Sequence, residues 1–387
     1  FSRKTITAAD RTDRSRVQER RLKRIHVLAL GACALCAQVI FIRELMALFT
    51  GTEFVIGALM TGWLVWVGIG GLAGGRIVER VGPPRFGVFE WLGLAAAILL
   101  PATVAGIRIG RSILCSPPGN FPAFSSALLF ALLVIAPFGL VYGTLYNAAS
   151  ILWRERSGDL RRGISRVYIW EAAGSLMGAI LFSFLLLRFF SQFTAASIVA
   201  LAVASPVLMA GPSGGGWGRR ISSIALLAAV AAAAPRLDAL TTRMMFPGYI
   251  VEASESSRYG ELVAASRDGS LSFFSGGSRL LTIPEPERTE EAVHIPLLLH
   301  PAPARVLLIG GSLGGGWQEA AEHGTVRRID CVELDGALVR LSMELGRRLG
   351  LDTGGNGSGS YDIDFIETDG RHFLSRGGRE YDVIILN

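Results

Sequence analysis

Long runs of apolar residues, separated by short polar segments, fill the first 235 positions of the chain. A run of roughly 20 apolar residues is long enough to cross the hydrocarbon core of a bilayer as a helix. A further run at 221–234 is shorter and rich in Ala, so the pattern predicts six or seven crossings. The six longer runs, which we predict to span, are 26–49, 54–75, 86–107, 124–148, 165–187 and 190–210.

Basic residues predict how these helices are oriented. They crowd at 1–25, before the first run, and recur in the loops after the second, fourth and sixth runs. An excess of Lys and Arg marks the cytoplasmic side, so we expect a multi-pass protein of a cell inner membrane with these segments inside. Six spans leave the C-terminal part in the cytoplasm, as we expect, and seven place it outside. The basic residues are Arg3, Lys4, Arg11, Arg14, Arg16, Arg20, Arg21, Lys23, Arg24, Arg76, Arg80, Arg85, Arg154, Arg156, Arg161, Arg162, Arg166, Arg219 and Arg220.

The composition favours a membrane protein over a nucleic-acid-binding one. Of the 387 residues, 50% are hydrophobic and only 18% are charged. The net charge is +6, and basic residues lie before the first apolar run and in the loops between runs. We therefore expect the lipid bilayer as a partner and no nucleic acid. Four cysteines make no disulfide framework, and Cys33 and Cys36 lie in an apolar helix, where packing is their expected role. His and Cys show no zinc spacing, so we predict no metal.

A few polar and small residues interrupt the spans. A charge at membrane depth is costly and usually pairs, so we expect Arg43 to pair with Glu44 or Glu171 in a buried network. Gly174 and Gly178 have the GxxxG spacing that lets two helices approach closely.

From about residue 247 the pattern changes to short strand-like runs. GYIVEAS, GELVAAS, LSFFSG and SRLLTI predict a small antiparallel sheet at 247–285, with a hairpin turn at Asp268-Gly269. A helix follows, entered past Pro286 and ended near Pro301. Strands and helices then alternate at 286–387, which is typical of a parallel sheet with crossover helices.

The predicted fold is therefore a multi-span α-helical membrane domain followed by an α/β Rossmann-like domain of the methyltransferase type, with a small antiparallel β-subdomain at its start. We expect a basic cytoplasmic segment at 1–25, a transmembrane domain at 26–235, the β-subdomain at 247–285 and the Rossmann-like domain at 286–387. The chain starts with Phe1 and stops at YDVIILN, inside an expected sheet, so we expect a truncated piece of a longer product.

The segment RVLLIGGSLGGGWQEA, residues 305–320, predicts a buried strand, a glycine-rich turn and a helix. The dinucleotide fingerprint GxGxxG fails from Gly310 because Ser312 takes its second glycine position, and from Gly311 because Leu313 does. A phosphate-binding loop fails because Trp317 stands where Lys is needed. These failures favour a nucleoside without a pyrophosphate.

Carboxylates follow the next two predicted strands. Glu333 or Asp335, in VELD, is placed to accept hydrogen bonds from ribose hydroxyls, and Asp369, in ETDGRHF, from an adenine amino group. The alternative is that each acid only caps a helix. His294 and His300 flank IPLLL, where they form a catalytic pair or have a core or helix-end role.

The segments HIPLLLHPAPARVLLIGGSLGGG, CVELD, TDGRHFL and YDVIIL resemble the core of the spermidine synthase family, the polyamine aminopropyltransferases. The whole chain resembles the membrane-fused spermidine synthase-like proteins of bacteria, with QVIFIRELMALFTGTEFVIGALMTGWLVW as the similar membrane stretch. The segment GGLAGGRIVERVGPPR is similar to a loop motif of major facilitator transporters.

The resemblance implies a bound S-adenosyl nucleoside. Decarboxylated S-adenosylmethionine, or S-adenosylmethionine, would bind the turn as a co-substrate, and no cofactor would be bound permanently. The acceptor would be a putrescine-like amine, and a homo-oligomer is implied because spermidine synthases are commonly dimers or tetramers. The residues implied are Gly310, Gly311 and Gly314 in the turn, Glu333 with Asp335 close by for the ribose, and Asp369 with Gly370 for the adenine.

The departures from the family fall on positions that handle the amine. Ser312 and Leu313 replace a glycine and an Asp in the turn, Gly260 replaces a Gln, and Asn387 occupies the usual place of the acid that serves as acceptor. We therefore expect either an integral-membrane transferase of an aminopropyl or other alkyl group, or a membrane protein that binds the nucleoside without turnover. A third hypothesis is a transporter-like bundle with a regulatory Rossmann domain.

Overall fold

The computed structural model describes residues 8–81, 86–154, 160–210, 217–257, 259–351 and 361–386. Its contacts form two units, one of Phe1–Ser116 with Phe121–Met245 and one of Pro117–Asn120 with Phe246–Asn387. Several residues named from the sequence lie outside the described residues. They are Arg3, Lys4, Arg85, Arg156 and Asn387.

The described part of the first unit consists of helices joined by short turns. A short π-helical turn, Phe182–Leu186, continues the sixth helix. The helices are α1 (Ala8–Leu48), α2 (Phe54–Val81), α3 (Phe86–Ile113), α4 (Phe124–Val134), α5 (Ala136–Arg154), α6 (Leu160–Leu181), α7 (Leu187–Phe189), α8 (Gln192–Ala210) and α9 (Trp217–Met244).

Within the described residues, five stretches are long and apolar enough to cross a membrane, judged by length and composition. A shorter apolar helix, Gln192–Ala204, falls in the sixth predicted span. The fourth stretch contains a break at Ile135 between α4 and α5, and Pro137 just beyond it has no N–H to continue the helix. The five stretches are Arg24–Leu48, Phe54–Ile77, Trp91–Ile113, Phe124–Ile151 and Ile164–Phe189.

Glycines bring α1 and α6 into backbone contact. A Cβ on Gly174 would overlap the carbonyl oxygen of Leu28, and a Cβ on Gly31 would overlap that of Glu171. The Ser175 hydroxyl donates to the Gly31 carbonyl at 3.1 Å across the same seam. Small residues are needed because any side chain here would push the helices apart, so the GxxxG prediction of close packing is confirmed.

A buried arginine joins three helices of this unit. Both oxygens of Glu44 accept from Arg108, at 2.7 and 2.9 Å, where the sequence pointed to Arg43 as the partner. Arg43 and Glu44 are consecutive, so they project from α1 in different directions, about 100° apart. Arg108 is fully buried and also donates to Asp238 at 2.7 Å and to Thr241 at 3.0 Å. Glu171 accepts instead from the Tyr142 hydroxyl, at 3.4 Å.

The arginine network also fixes where α9 ends. Glu44, Arg108 and Asp238 all lie within the last two turns of their helices. The C-terminal ends of α1, α3 and α9 therefore lie at one end of the bundle, and α1 begins at the other. The described helices between Arg24 and Met245 consequently carry the chain from one end of the bundle to the other an odd number of times.

The second unit begins with a four-stranded antiparallel sheet. Its strands, β1 (Ile250–Ser257), β2 (Gly260–Arg267), β3 (Ser270–Ser275) and β4 (Ser278–Ile283), pair in chain order. Asp268 and Gly269 form the tight turn between β2 and β3, both with positive φ, as the hairpin prediction requires. One face is buried through Leu262, Ala264, Leu271 and Phe273.

An α/β layer follows, with its parallel sheet in the order β7-β6-β5-β8. This arrangement confirms the Rossmann-like prediction, because each strand is followed by a helix before the next parallel strand. The carboxyl ends of β5, β6 and β7 adjoin along one edge of the sheet. The elements are α10 (Pro286–Leu298), β5 (Arg305–Ile309), α11 (Gly316–Ala321), β6 (Arg328–Glu333), α12 (Gly336–Leu349), β7 (Asp362–Glu367), α13 (Gly370–Arg376) and β8 (Val383–Leu386).

Candidate functional site

The glycine-rich turn continues directly from β5. Gly310 and Gly311 have φ values of 73° and 68°, and a 3-10 turn at Ser312–Gly314 leads to Gly315, whose φ is 121°. Only glycine adopts such values without strain. Gly314, which the sequence pointed to, has room for a Cβ, whereas Gly315, which it passed over, requires a glycine. The positive φ values turn the chain sharply from the buried strand into α11.

Ser312 and Leu313, at the centre of the turn, serve different purposes. The Ser312 hydroxyl is buried and donates to Oε1 of Glu333 at 2.8 Å. Leu313 is 3% exposed and belongs to a core cluster with Leu262, Phe273 and Ile283 of the antiparallel sheet. The turn is therefore held by a hydrogen bond to β6 and by apolar packing under the antiparallel sheet.

Glu333 is the last residue of β6 and is 8% exposed. Burial raises the pKa of its carboxyl, and the hydrogen bond from the Ser312 hydroxyl opposes part of this rise. A buried carboxylate with few hydrogen bonds from the protein favours a ligand that brings donors of its own. A vicinal diol, as in ribose, supplies two hydroxyl donors of this kind.

Asp335 and Asp369 both cap helices, as the alternative interpretation predicted. Oδ1 of Asp335 accepts from the amide of Ala337 at 3.0 Å, at the start of α12. Oδ1 of Asp369 accepts from the amides of Arg371 and His372, at 2.8 and 3.2 Å, at the start of α13. These capping bonds all end on Oδ1, so capping is compatible with a ligand bond to Oδ2 of either aspartate.

Two further residues complete this edge of the sheet. Gly370 adjoins the end of β5, because a Cβ on it would lie 2.5 Å from Cγ2 of Ile309. Glu367, which the sequence did not single out, pairs in register with Glu333. Its carboxylate lies against Gly336, where any Cβ would overlap it. Its position as the last residue of a predicted strand was the signal that could have identified it.

Of the other positions at which the sequence departs from the family pattern, the structure describes Gly260. Gly260 lies at the start of β2 with a φ of 146°, and Tyr259 before it is 48% exposed. Asn387 lies outside the described residues. His294 and His300 do not form a pair: His294 contacts His323 and Glu319, and His300 accepts from the amide of Ala302 just beyond α10.

Comparison with known proteins finds relatives for the same part of the chain. Residues 285–387 match the spermine/spermidine synthase domain. The chain is 35% identical over 99 residues to polyamine aminopropyltransferase 1 of Pseudomonas aeruginosa, covering 25% of this chain and 32% of that protein. It is 31% identical over 127 residues to the polyamine aminopropyltransferase of Thermococcus onnurineus, covering 33% of this chain and 43% of that protein.

Among solved structures, the spermidine synthase of Thermotoga maritima is similar at 26% identity with a TM-score of 0.31, over 35% of this chain and 47% of that one. The chain thus spans less than half the length of these relatives.

Proposed function

We propose that the spermine/spermidine synthase domain of this chain binds an S-adenosyl nucleoside and transfers an aminopropyl group from decarboxylated S-adenosylmethionine to an amine. One observation carries the proposal. The glycine turn, Glu333 and Asp369 lie at the carboxyl ends of three adjacent parallel strands, at the edge where Rossmann-like folds bind nucleotides. They do so within the residues that match the domain.

Each group has a distinct role in this proposal. The turn at Gly310 and Gly311 lets the ligand come close to the backbone. Glu333 accepts from the ribose hydroxyls while it keeps its bond from Ser312. Asp369 accepts from the adenine amino group through Oδ2, because the helix-capping bonds end on Oδ1.

The transfer itself forms one bond and breaks one. The nitrogen of the amine attacks the propyl carbon next to the sulfonium, the C–N bond forms as the C–S bond breaks, and methylthioadenosine leaves with the former bonding pair on sulfur. The nitrogen then loses a proton to solvent or to a base. Holding the neutral amine in line with the C–S bond supplies most of the acceleration in a reaction of this kind.

Binding without transfer is a second candidate function, and the position of Leu313 favours it. Leu313 replaces the acid that the family resemblance assigns to the donor's amine, and it is packed in the core with Leu262 and Phe273. A buried leucine offers no counter-charge to a cationic propylamine group. The protein would then sense an S-adenosyl compound.

We further propose that the helical unit is embedded in a membrane. The support is the five apolar stretches, with mean hydropathies of 1.8 to 2.3. Their flanking basic residues indicate the cytoplasmic side. The described helices carry the chain through the bundle an odd number of times. We therefore infer that it leaves the bundle at the non-cytoplasmic end before the synthase-like domain begins. Six spans would bring it out at the cytoplasmic end.

The decisive experiment uses the protein purified in detergent. It is incubated with decarboxylated S-adenosylmethionine and a panel of diamines, and methylthioadenosine is measured by chromatography. We expect its release with a putrescine-like amine, and loss of release in a Glu333→Ala, Asp369→Ala double variant. Calorimetric binding of the donor without release of product would support the sensing function. No binding of any S-adenosyl compound would overturn both.

A further inference from the structure

A cluster of histidine and glutamate side chains lies between α10 and α11, apart from the residues of the proposed nucleoside site. Nε2 of His294 lies 3.0 Å from Oε2 of Glu319, and Nδ1 of His294 lies 2.7 Å from Nε2 of His323. One ligand atom each from His294, Glu319 and Glu322 lie within 4.8 Å of one another. The function proposed above leaves this cluster unused.

Apolar packing beneath the cluster holds its members in place. Val293 and Leu297 of α10 share a buried core with Trp317 and Ala320 of α11. His294 lies next to this core on α10 and Glu319 lies on α11, whereas Glu322 and His323 lie in the turn that directly follows α11. A site whose ligands come from two packed helices and from the turn that directly follows one of them is preorganised for binding.

The contact between the two imidazoles leaves His294 two tautomers. In one, Nε2–H donates to Glu319 while Nδ1 accepts from His323. In the other, Nδ1–H donates to His323, and the lone pair of Nε2 faces the carboxylate of Glu319. That second arrangement places a nitrogen lone pair and two carboxylates around one point, which is repulsive alone and attractive around a cation.

From this geometry we propose a divalent transition-metal site, with Zn²⁺ as the ion. Nε2 of His294 and the carboxylates of Glu319 and Glu322 are the ligands, and water takes the fourth position. Zinc binds imidazole and carboxylate ligands in this number when one position stays open. His323 accepts from Nδ1–H of His294 and fixes its tautomer, as outer partners of metal-bound histidines do. The ion joins α10 to α11.

The test is calorimetric titration of the chelator-treated, full-length protein in detergent with zinc chloride at neutral pH. A Cys115→Ser background removes the exposed thiol as a competing ligand. We expect one equivalent to bind with micromolar or tighter affinity. Glu322→Gln, at an exposed position, and Glu319→Gln should each weaken binding at least tenfold. His323→Phe should weaken it by about 10- to 100-fold, as loss of an outer partner does.

His300→Ala is the matched control, because His300 lies just beyond the same helix and outside the cluster. It should bind zinc as the parent does. Thermal unfolding separates binding from folding: zinc should raise the midpoint of the parent and of His300→Ala but not that of Glu319→Gln. Absence of saturable binding, or equal affinity in Glu319→Gln, Glu322→Gln and the parent, would overturn the proposal.

Discussion

Adjacent residues of the glycine turn have separate roles, and the difference decides how each responds to substitution. Ser312 bonds to Glu333, at the site, whereas Leu313 packs with Leu262 and Phe273, in the core. From the sequence both looked like replacements in a ligand-binding loop. Which of two neighbours faces the core depends on the antiparallel sheet that covers the turn, and local spacing does not reveal that.

Leu313→Asp should destabilise the second unit and not create an amine-binding acid. Loss of a buried leucine and burial of a carboxylate should together cost at least about 2 kcal/mol. Hydrogen exchange of the amides in β2 and β3 should then be about 30-fold faster. Leu313→Met, which keeps the volume, is the control and should exchange nearly as the parent does. Equal protection in the Asp variant would show that the side chain is not packed in the core.

Glu333 should make nucleoside binding depend on pH. The carboxylate accepts two hydroxyl donors only when it is ionised, and burial has raised its pKa. Affinity should therefore be full above the raised pKa and fall as the pH drops through it, at a higher pH than an exposed glutamate would give. Calorimetry of S-adenosyl compounds across this range measures the effect.

Glu333→Gln is the matched variant for this titration. It should bind more weakly at neutral pH and show little change of affinity on acidification. The same acid dependence in parent and variant would assign the titration to another group.

At the scale of elements, the strand and helix order of the second unit was predictable. Alternating polarity with Asp268-Gly269 identified the hairpin, and buried runs followed by helices identified the parallel sheet. The partner of Glu44 was not predictable, because Arg108 lies one residue past the predicted end of the third span. Such pairings depend on how distant helices pack, and the hydropathy of one helix carries no information about it.

Gly174→Ala should loosen the seam between α1 and α6. The new Cβ would overlap the Leu28 carbonyl, and overpacking of this kind costs about 1–3 kcal/mol. The thermal midpoint in detergent should fall. Gly68→Ala in α2 is the control, since nothing lies within 4 Å of its added Cβ. It should leave the midpoint unchanged or raise it, because Ala favours helix over Gly. Equal midpoints for the two variants would contradict the close contact.

At the scale of the whole molecule, the odd number of passages through the bundle predicts on which side of the membrane each segment lies. Of the four cysteines, only Cys115 is exposed, and it follows α3 at the end of the bundle where α1 and α9 also end. We expect a membrane-impermeant maleimide to label Cys115 in intact cells.

Single cysteines in a Cys115→Ser background extend this measurement. Ser375→Cys in α13 should be labelled in intact cells, and Ser165→Cys near the start of α6 only after lysis. If Ser375→Cys is labelled only after lysis, the domain lies in the cytoplasm and six spans are favoured.

The seam between α1 and α6 also has a consequence for biosynthesis. Ser175 and Gly31, which bond across it, are 144 residues apart in sequence. At a synthesis rate of about 5–20 residues per second, α1 waits roughly 7 to 30 s before its partner exists. If the unit is inserted into a membrane as we propose, the face of α1 around Gly31 and Cys36 is exposed to lipid or to the insertion machinery during that interval. The nascent chain is therefore most vulnerable to misassembly before residue 178 has been made.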